Sequence, residues 1–184
     1  MNVIRNRTRG LLLALMITLA LAAPTGAAAA LTSGSNREVD ALVQAIREHR
    51  ATTWHWQRVL GKRRSWAGFK ERETTDVAVL TALRDRWKER ATRLQSRSAR
   101  PPRKAAWLCI HRYEGAWDDP NAPYYGGLQM SLDFQRAYGR YLLRRKGTAD
   151  HWSPREQMWT AERALRAGAG FYPWPNTARL CGLI

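Results

Sequence analysis

One acidic residue, Glu114, stands at the predicted end of an apolar helix, and a loop rich in aromatic residues and glycine follows at 124–129. Aromatic rings can stack on sugar rings, and glycine allows a ligand to approach the backbone closely. A carboxyl group surrounded by apolar side chains tends to stay protonated and can act as a general acid. These residue types at this spacing predict a site that holds a glycan and protonates one of its bonds.

The side chains around this acid have separate expected tasks. Trp117 and Tyr124 offer ring faces for stacking, and Gln129 offers both a donor and an acceptor to sugar hydroxyl or N-acetyl groups. A glutamate at a helix end is by itself most often a solvated surface acid. The catalytic prediction for Glu114 therefore depends on the motif around it.

No convincing second catalytic carboxylate is found in the sequence. Asp118 and Asp119 lie in a Trp-Asp-Asp-Pro-Asn string that is typical of an exposed turn. Glu156 is expected to be used by a helix cap, and Glu162 by a pair with a neighbouring arginine on its own helix. Because hydrolysis of a glycoside normally uses two carboxylates, a single acid favours a lytic transglycosylase route. Hydrolysis stays open if an aspartate can position water.

Residues 1–30 are predicted to be a secretion signal. Three arginines precede an apolar run at 11–23, and small residues at 26–30 offer cleavage sites. An uncleaved N-terminal anchor is the alternative. The formal net charge of +16 falls to about +13 without those arginines. For an exported, cell-wall-associated protein, the expected acidic partners are wall polymers rather than nucleic acid.

The two cysteines, Cys109 and Cys181, predict one disulfide, because an even pair in an exported chain is usually bonded. The four histidines are scattered, so no metal site is predicted and no cofactor is expected. We interpret them as surface or packing residues.

The rest of the chain is predicted to be mainly α-helical in two parts. Residues 31–97 are expected to form a helical hairpin that starts at a Ser35–Glu38 capping box, resumes near Asp76 and buries its tryptophans. The hairpin is a candidate surface for self-association or a protein partner. Residues 98–106 are a basic, proline-containing linker that precedes a small domain at 107–184.

That domain is expected to begin with a helix ending near Gly115, followed by loop or a small sheet up to Met130. One helix should start at Ser131 and end near Gly147, and another should start at a capping box at 153–156. The aromatic tail segment at 171–175 is expected to be extended, with Cys181 tying it back to the first helix of the domain.

The residues from 107 to 181 resemble the catalytic domain of resuscitation-promoting factors and related transglycosylase-like proteins of the lysozyme fold. The resemblance is carried by four ordered blocks: Trp107 to Trp117, Tyr-Tyr-Gly-Gly-Leu-Gln at 124–129, Glu-Gln to Ala-Glu-Arg at 156–163, and Trp174-Pro175 before a closing cysteine. It covers most of the C-terminal domain and none of the hairpin.

The resemblance implies an α+β lysozyme-like fold and cleavage of the β-1,4 bond between N-acetylmuramic acid and N-acetylglucosamine in peptidoglycan. It puts the catalytic glutamate on Glu114 and sugar contacts on Tyr125, Gly127 and Gln129. Trp174, in the fourth block, is also expected to bind substrate. The first cysteine of the family directly precedes the glutamate, whereas Cys109 precedes Glu114 by one further helical turn. The Cys109–Cys181 bond is expected if the second cysteine has shifted by a compensating amount.

Two further functions are compatible with the sequence. A non-catalytic wall-binding module would use the same aromatic residues without a reactive Glu114. A basic helical protein that binds nucleic acid is supported by the arginine-rich hairpin, but the export signal argues against it.

Overall fold

The computed structural model describes residues 25–66 and 74–184, so the predicted signal segment lies outside the described residues except for positions 25–30. The chain divides into two units, residues 1–35 and 36–184. Of the first unit, the backbone of residues 25–35 is described, and it is helical. Among the helices of the described ranges, none combines the length and apolar character that a membrane crossing needs.

The described chain is mainly helical, as predicted. In chain order its elements are α1 (Thr25–Val59), α2 (Val77–Ser98), α3 (Lys104–Glu114), β1 (Tyr124–Tyr125), β2 (Met130–Ser131), α4 (Leu132–Tyr138), α5 (Arg140–Lys146), α6 (Pro154–Ala164) and α7 (Pro175–Leu180). The two strands pair antiparallel, with Tyr124 opposite Ser131. The small sheet expected before Ser131 is therefore present.

Several predicted helix starts are confirmed by their caps. The Asp76 carboxylate accepts hydrogen bonds from the amides of Ala78 and Val79 at the start of α2. Ser153 and Glu156 form the predicted capping box of α6. The predicted start of the first helix near Ser35 is wrong, because α1 is already helical from Thr25. The alanine-rich segment that precedes Ser35 has a high helix propensity, which favours this extension.

Two predictions for the C-terminal region are corrected. The helix expected from Ser131 to Gly147 is divided at Gly139 into α4 and α5. The ring of Trp152 lies so close to Gly139 that a Cβ there would overlap it, so only glycine fits. The segment at 171–174 is a turn and not extended chain, and residues 175–180 form α7, which was not predicted and has a proline at its first position.

Two buried clusters hold residues 36–184 together. The first is the hairpin's own core and joins α1 to α2 through Leu42, Ile46, Leu80, Leu83 and Trp87. The second joins the end of α1 to the C-terminal helices through Trp56, Val59, Trp107, Ile110, Leu128, Met158, Trp159 and Trp174, among others. Trp56 and Trp87 are core residues as predicted, whereas Trp66 is 77% exposed.

Polar side chains connect the hairpin to the C-terminal segment. Arg163 of α6 donates to the carbonyl oxygens of Arg58 and Val59 at 2.7 Å, and of Tyr138 at 2.6 Å. These are the last turns of α1 and α4, where carbonyl groups lack partners within the helix. Trp159 also donates to the buried Ser98 carbonyl at 2.8 Å. The predicted linker at 98–106 therefore lies inside one compact unit.

The buried carboxylate of Glu156 both caps α6 and contacts two basic side chains. Besides the Ser153 amide, its carboxylate contacts Lys146 Nζ at 2.7 Å and His55 Nε2 at 3.0 Å. Burial alone would raise the pKa of Glu156, but the hydrogen bonds from His55, Lys146 and Ser153 outweigh it and lower the pKa from 4.5 to about 2.

We expect these contacts of Glu156 to stabilise the protein except in strong acid. Because the folded pKa of Glu156 lies below its unfolded value, its contribution is present above pH 4.5 and is lost as the pH falls through about 2. A shift of this size corresponds to about 3 kcal/mol of unfolding free energy. Urea titrations at pH 6 and at about pH 2.5 should measure most of that loss. The Glu156→Gln variant should be less stable at pH 6 and lose less on acidification; an equal loss in both proteins would contradict the assignment.

Candidate active site

Glu114 is the last residue of α3 and is half-buried. The hydroxyl of Thr177, on α7, donates to Glu114 Oε1 at 2.7 Å. Thr177 itself is buried. The sequence did not single out this threonine, which is 63 residues away along the chain. Its hydroxyl fixes one carboxylate oxygen and leaves Oε2 without a hydrogen bond among the described residues.

The disulfide brings α7 to this position. Cys109 of α3 is bonded to Cys181, which directly follows α7, and their Cα atoms are 6.0 Å apart. The predicted pairing is therefore confirmed, at a separation that normal disulfides span. The bond joins the helix that carries Glu114 to the helix that carries Thr177.

The aromatic and glycine-rich loop at 124–129 folds back so that its last residue lies beside Gly115, the residue after Glu114. A Cβ added at Gly115 would lie 3.4 Å from Asp119 Oδ2 and 3.5 Å from Gln129 Nε2. Gln129 Nε2 also donates to Asp119 Oδ2 at 2.9 Å and to the Gly126 carbonyl at 3.0 Å. The loop is thus closed by side-chain hydrogen bonds beside the catalytic candidate.

Asp119 differs from its predicted role. Asp118 is exposed, as expected for a turn, but Asp119 is half-buried and accepts hydrogen bonds from both Asn121 and Gln129. From the sequence, Asp119 was predicted only to lie in an exposed turn. The structure adds a second carboxylate to the surroundings of Glu114.

The backbone at Gln129 is unusual. Its φ of +44° lies in the left-handed region, which residues other than glycine seldom adopt. The Gln129 amide nitrogen donates to the Gly126 carbonyl at 2.9 Å, and this turn holds the conformation in place. Such backbone outliers cluster at functional sites, and this one is at a predicted sugar-binding residue.

Trp117 is held in place from two sides. Its half-buried ring stacks on His111, with centroids 3.9 Å apart. His111 Nδ1 donates to the Gly127 carbonyl at 3.1 Å, and Gln157 Nε2 donates to the Trp117 carbonyl at 2.7 Å. A Cβ at Gly127 would be 2.7 Å from both rings, so glycine permits the stack. His111 is a packing histidine, as predicted, but its place beside the loop was not foreseen.

The remaining predicted substrate-binding residues differ in accessibility. Tyr124 is 51% exposed, and Tyr125 is half-buried against the core. Trp174 is 3% exposed, and its Nε1 donates to the Leu128 carbonyl at 2.6 Å. Trp174 is therefore a core residue, and its predicted role in substrate binding is corrected.

The expected partner of Glu162 is also corrected. Trp107 Nε1 donates to Glu162 Oε1 at 2.8 Å. Glu162 was expected to pair with an arginine on its own helix. Its buried carboxylate instead accepts from the amide and guanidinium of Arg103, at the start of α3. A carboxylate at a helix N-terminus is favourable, so Glu162 stabilises the helix that carries Glu114.

Comparison of the chain with protein-family models, curated proteins and solved structures found no match. Within the ranges that the structure describes, no group of three or more His, Cys, Asp or Glu residues is arranged to hold a metal ion.

Proposed function

We propose that this protein is an exported peptidoglycan-cleaving enzyme that uses Glu114 as a single catalytic acid, most directly as a lytic transglycosylase. The observation that carries the proposal is the geometry at the end of α3. There Thr177 orients Glu114, and the loop bearing Trp117 and Gln129 is folded against the next residue. The resemblance of residues 107–181 to resuscitation-promoting factors and lysozyme-like transglycosylases supports the choice of substrate.

The side chains around Glu114 suit a glycan ligand. Trp117 is stacked on His111 on one side, and Tyr124 is half exposed, so aromatic surface is present in the loop. Tyr113, next to Glu114, is also 51% exposed. Aromatic surface beside hydrogen-bonding groups is the usual equipment for holding pyranose rings in water.

In the proposed reaction, Glu114 donates its proton to the glycosidic oxygen as the bond from that oxygen to the anomeric carbon breaks. The resulting carboxylate then accepts the proton of the 6-hydroxyl of the same muramic residue. That hydroxyl oxygen bonds to the anomeric carbon and closes a 1,6-anhydro ring. The acid is regenerated and no water is consumed. Because Thr177 engages Oε1, Oε2 is the oxygen available to carry the proton.

Hydrolysis by a muramidase mechanism is the second candidate, and the position of Asp119 favours it. Asp119 Oδ2 lies 3.4 Å from the place that a Cβ on Gly115 would occupy, beside Glu114. A second carboxylate near the general acid could activate or orient water. In the structure this oxygen accepts from Gln129, so it would have to exchange that bond for water.

A cleavage assay on purified cell walls tests the proposal. The chain without residues 1–30 is incubated with insoluble peptidoglycan, and release of soluble muropeptides is measured together with binding to the pellet. Release of fragments supports an enzyme. Binding without release would instead support a non-catalytic wall-binding module.

We expect Thr177→Val to lower the cleavage rate by about tenfold, because the hydrogen bond that stabilises the carboxylate formed when Glu114 gives up its proton is lost. The Thr177→Ser variant keeps the hydroxyl and should restore most of the rate. Thermal unfolding of both variants is the control for packing at this buried position. A Thr177→Val protein with an unchanged cleavage rate would show that catalysis by Glu114 does not require the hydrogen bond from Thr177.

A further inference from the structure

A cavity of about 420 Å³ lies between α1 and α5 and is not lined by Glu114. Its walls carry four arginines, one histidine and two other aromatic residues, contributed by α1, the segment after it, and α5. The lining residues used below are Trp54, His55, Arg58, Arg64, Tyr141, Arg144 and Arg145. Cavities of this size commonly hold small ligands or one unit of a longer chain.

The cavity has an unbalanced positive charge. Arg58, Arg64, Arg144 and Arg145 line it, and no carboxylate does. In the described part of the chain, no Asp or Glu lies within ion-pair distance of these four guanidinium groups. The nearby Glu156 is already paired with His55 and Lys146. An anion would relieve the repulsion among the arginines.

The arginine from the segment after α1 is held in position by its surroundings. The Arg64 guanidinium stands 4.1 Å from the centre of the Trp54 ring. Trp54 Nε1 donates to the Ser65 carbonyl at 2.9 Å, and the Ser65 amide donates to Gln57 Oε1 at 2.9 Å. These bonds fasten residues 64–65 to α1, so the donors of Arg64 are arranged before any ligand binds.

The aromatic residues of the cavity are already engaged by protein groups. Trp54 has Arg64 and Arg50 over its ring, and its ring is nearly perpendicular to that of Trp87, with centroids 6.1 Å apart. Tyr141 is tilted against His55, with its hydroxyl 3.3 Å from His55 Nδ1. Nucleic-acid bases need free aromatic faces for stacking, so the cavity is better suited to a ligand recognised through its anionic groups. Guanidinium forks match the paired oxygens of phosphate.

A second cavity of about 470 Å³ adjoins the first and shares Ala51, His55, Tyr141 and Arg145 with it. Its lining adds Lys146, whose ammonium group is already paired with Glu156. Arg145 lines both cavities, so unpaired positive charge reaches the second one, which fits a chain with repeated anionic groups better than an isolated ion.

We propose that these two cavities bind the phosphodiester groups of a polyol-phosphate chain, the chemistry of anionic cell-wall polymers. Arg144 and Arg145 of α5 line the first cavity together with Arg58 and Arg64 and bind a phosphate there, and the adjoining cavity receives the next unit. The site is independent of cleavage at Glu114. Its failure or success in a binding assay leaves the proposed enzyme function unaffected.

Isothermal titration of the chain without residues 1–30 with a short glycerol-phosphate oligomer tests this site. We expect binding that weakens at least about tenfold in the Arg144→Ala/Arg145→Ala variant, since charge-assisted hydrogen bonds are lost. The matched control is Arg47→Ala/Arg86→Ala, which removes the same charge from exposed positions that line neither cavity. Binding by the control should match the wild type. If the first variant unfolds at a lower temperature, Arg58→Ala/Arg64→Ala provides the same test with the other two arginines that line the first cavity.

Three results would overturn the proposal. An equal loss in the control variant would show that net charge alone attracts the oligomer. Equal binding of polyglutamate with the same number of charges would show that phosphate is not distinguished from carboxylate. Tighter binding of single-stranded DNA with the same number of phosphates would assign the surface to nucleic acid.

Discussion

Replacement of Glu114 by glutamine is expected to lower the turnover of peptidoglycan strands by about 10²- to 10⁴-fold, the usual contribution of a general acid. Glutamine keeps an oxygen that can accept from Thr177, so the local hydrogen bond and the packing are expected to persist. It cannot deliver a proton to the glycosidic oxygen. Binding to insoluble walls and the unfolding temperature should therefore stay close to those of the wild type, while release of muropeptides is lost.

Asp118→Asn is the matched control for this substitution. It also converts a carboxylate to an amide in the same region, but Asp118 is exposed and has no assigned role. Its turnover should equal that of the wild type. Undiminished turnover in Glu114→Gln would reject Glu114 as the acid, even if the protein cleaves peptidoglycan.

Removal of the disulfide is expected to have the largest effect on stability. The Cys109→Ala/Cys181→Ala variant releases a constraint between residues separated by 72 positions, which the chain-entropy model values at about 4 kcal/mol. For a chain of this length, that loss lowers the Tm by about 10 °C. Because α7 carries Thr177, cleavage should also fall at temperatures where α7 detaches from α3.

Reduction provides an independent check on the disulfide. Treating the wild type with dithiothreitol should produce the same fall in Tm, and the same reagent should leave the double alanine variant unchanged. A double variant with the wild-type Tm would show that packing alone holds α7 in place.

The elements of the fold that depend on neighbouring residues were largely predictable. Each of these signals lies within a few residues of the helix end that it determines: the Asp76 cap, the stop at Gly115 and the capping box at 153–156. The division of a helix at Gly139 was not predicted, because the ring that requires glycine belongs to Trp152, which is distant along the chain. Helix α7 was not predicted, because the glycines at 168 and 170 and the prolines at 173 and 175 favoured extended chain at this point.

The candidate site was predicted less completely than the helices. Glu114 and the loop up to Gln129 were identified by residue type, and the structure places them side by side. Asp119 was considered as a second carboxylate but was assigned to an exposed turn, whereas it is half-buried and bonded to Gln129. Thr177 was not identified as a neighbour of Glu114, since nothing local in the sequence marks it. The same holds for Glu162, whose partner Arg103 lies 59 positions away. Contacts of this kind arise from packing between helices.

The burial of Trp174 shows the limit of arguing from aromatic residues. Tryptophan can contribute either to a sugar-binding surface or to a core, and its residue type does not distinguish the two. In this fold, Trp174 packs against Trp107 and Phe134 and donates to a backbone carbonyl. Tyr124 keeps its ring at the surface and remains a candidate for sugar contact.

The mass of the products released from purified peptidoglycan tests the central claim most directly. The account predicts soluble muropeptides with 1,6-anhydro-muramic ends, each lighter by one water than the corresponding hydrolysis product, and none from Glu114→Gln. Products of hydrolytic mass would assign water activation to a second group such as Asp119. Absence of any released muropeptide from the wild-type chain, with its disulfide intact, would contradict the proposal that this protein cleaves glycan strands.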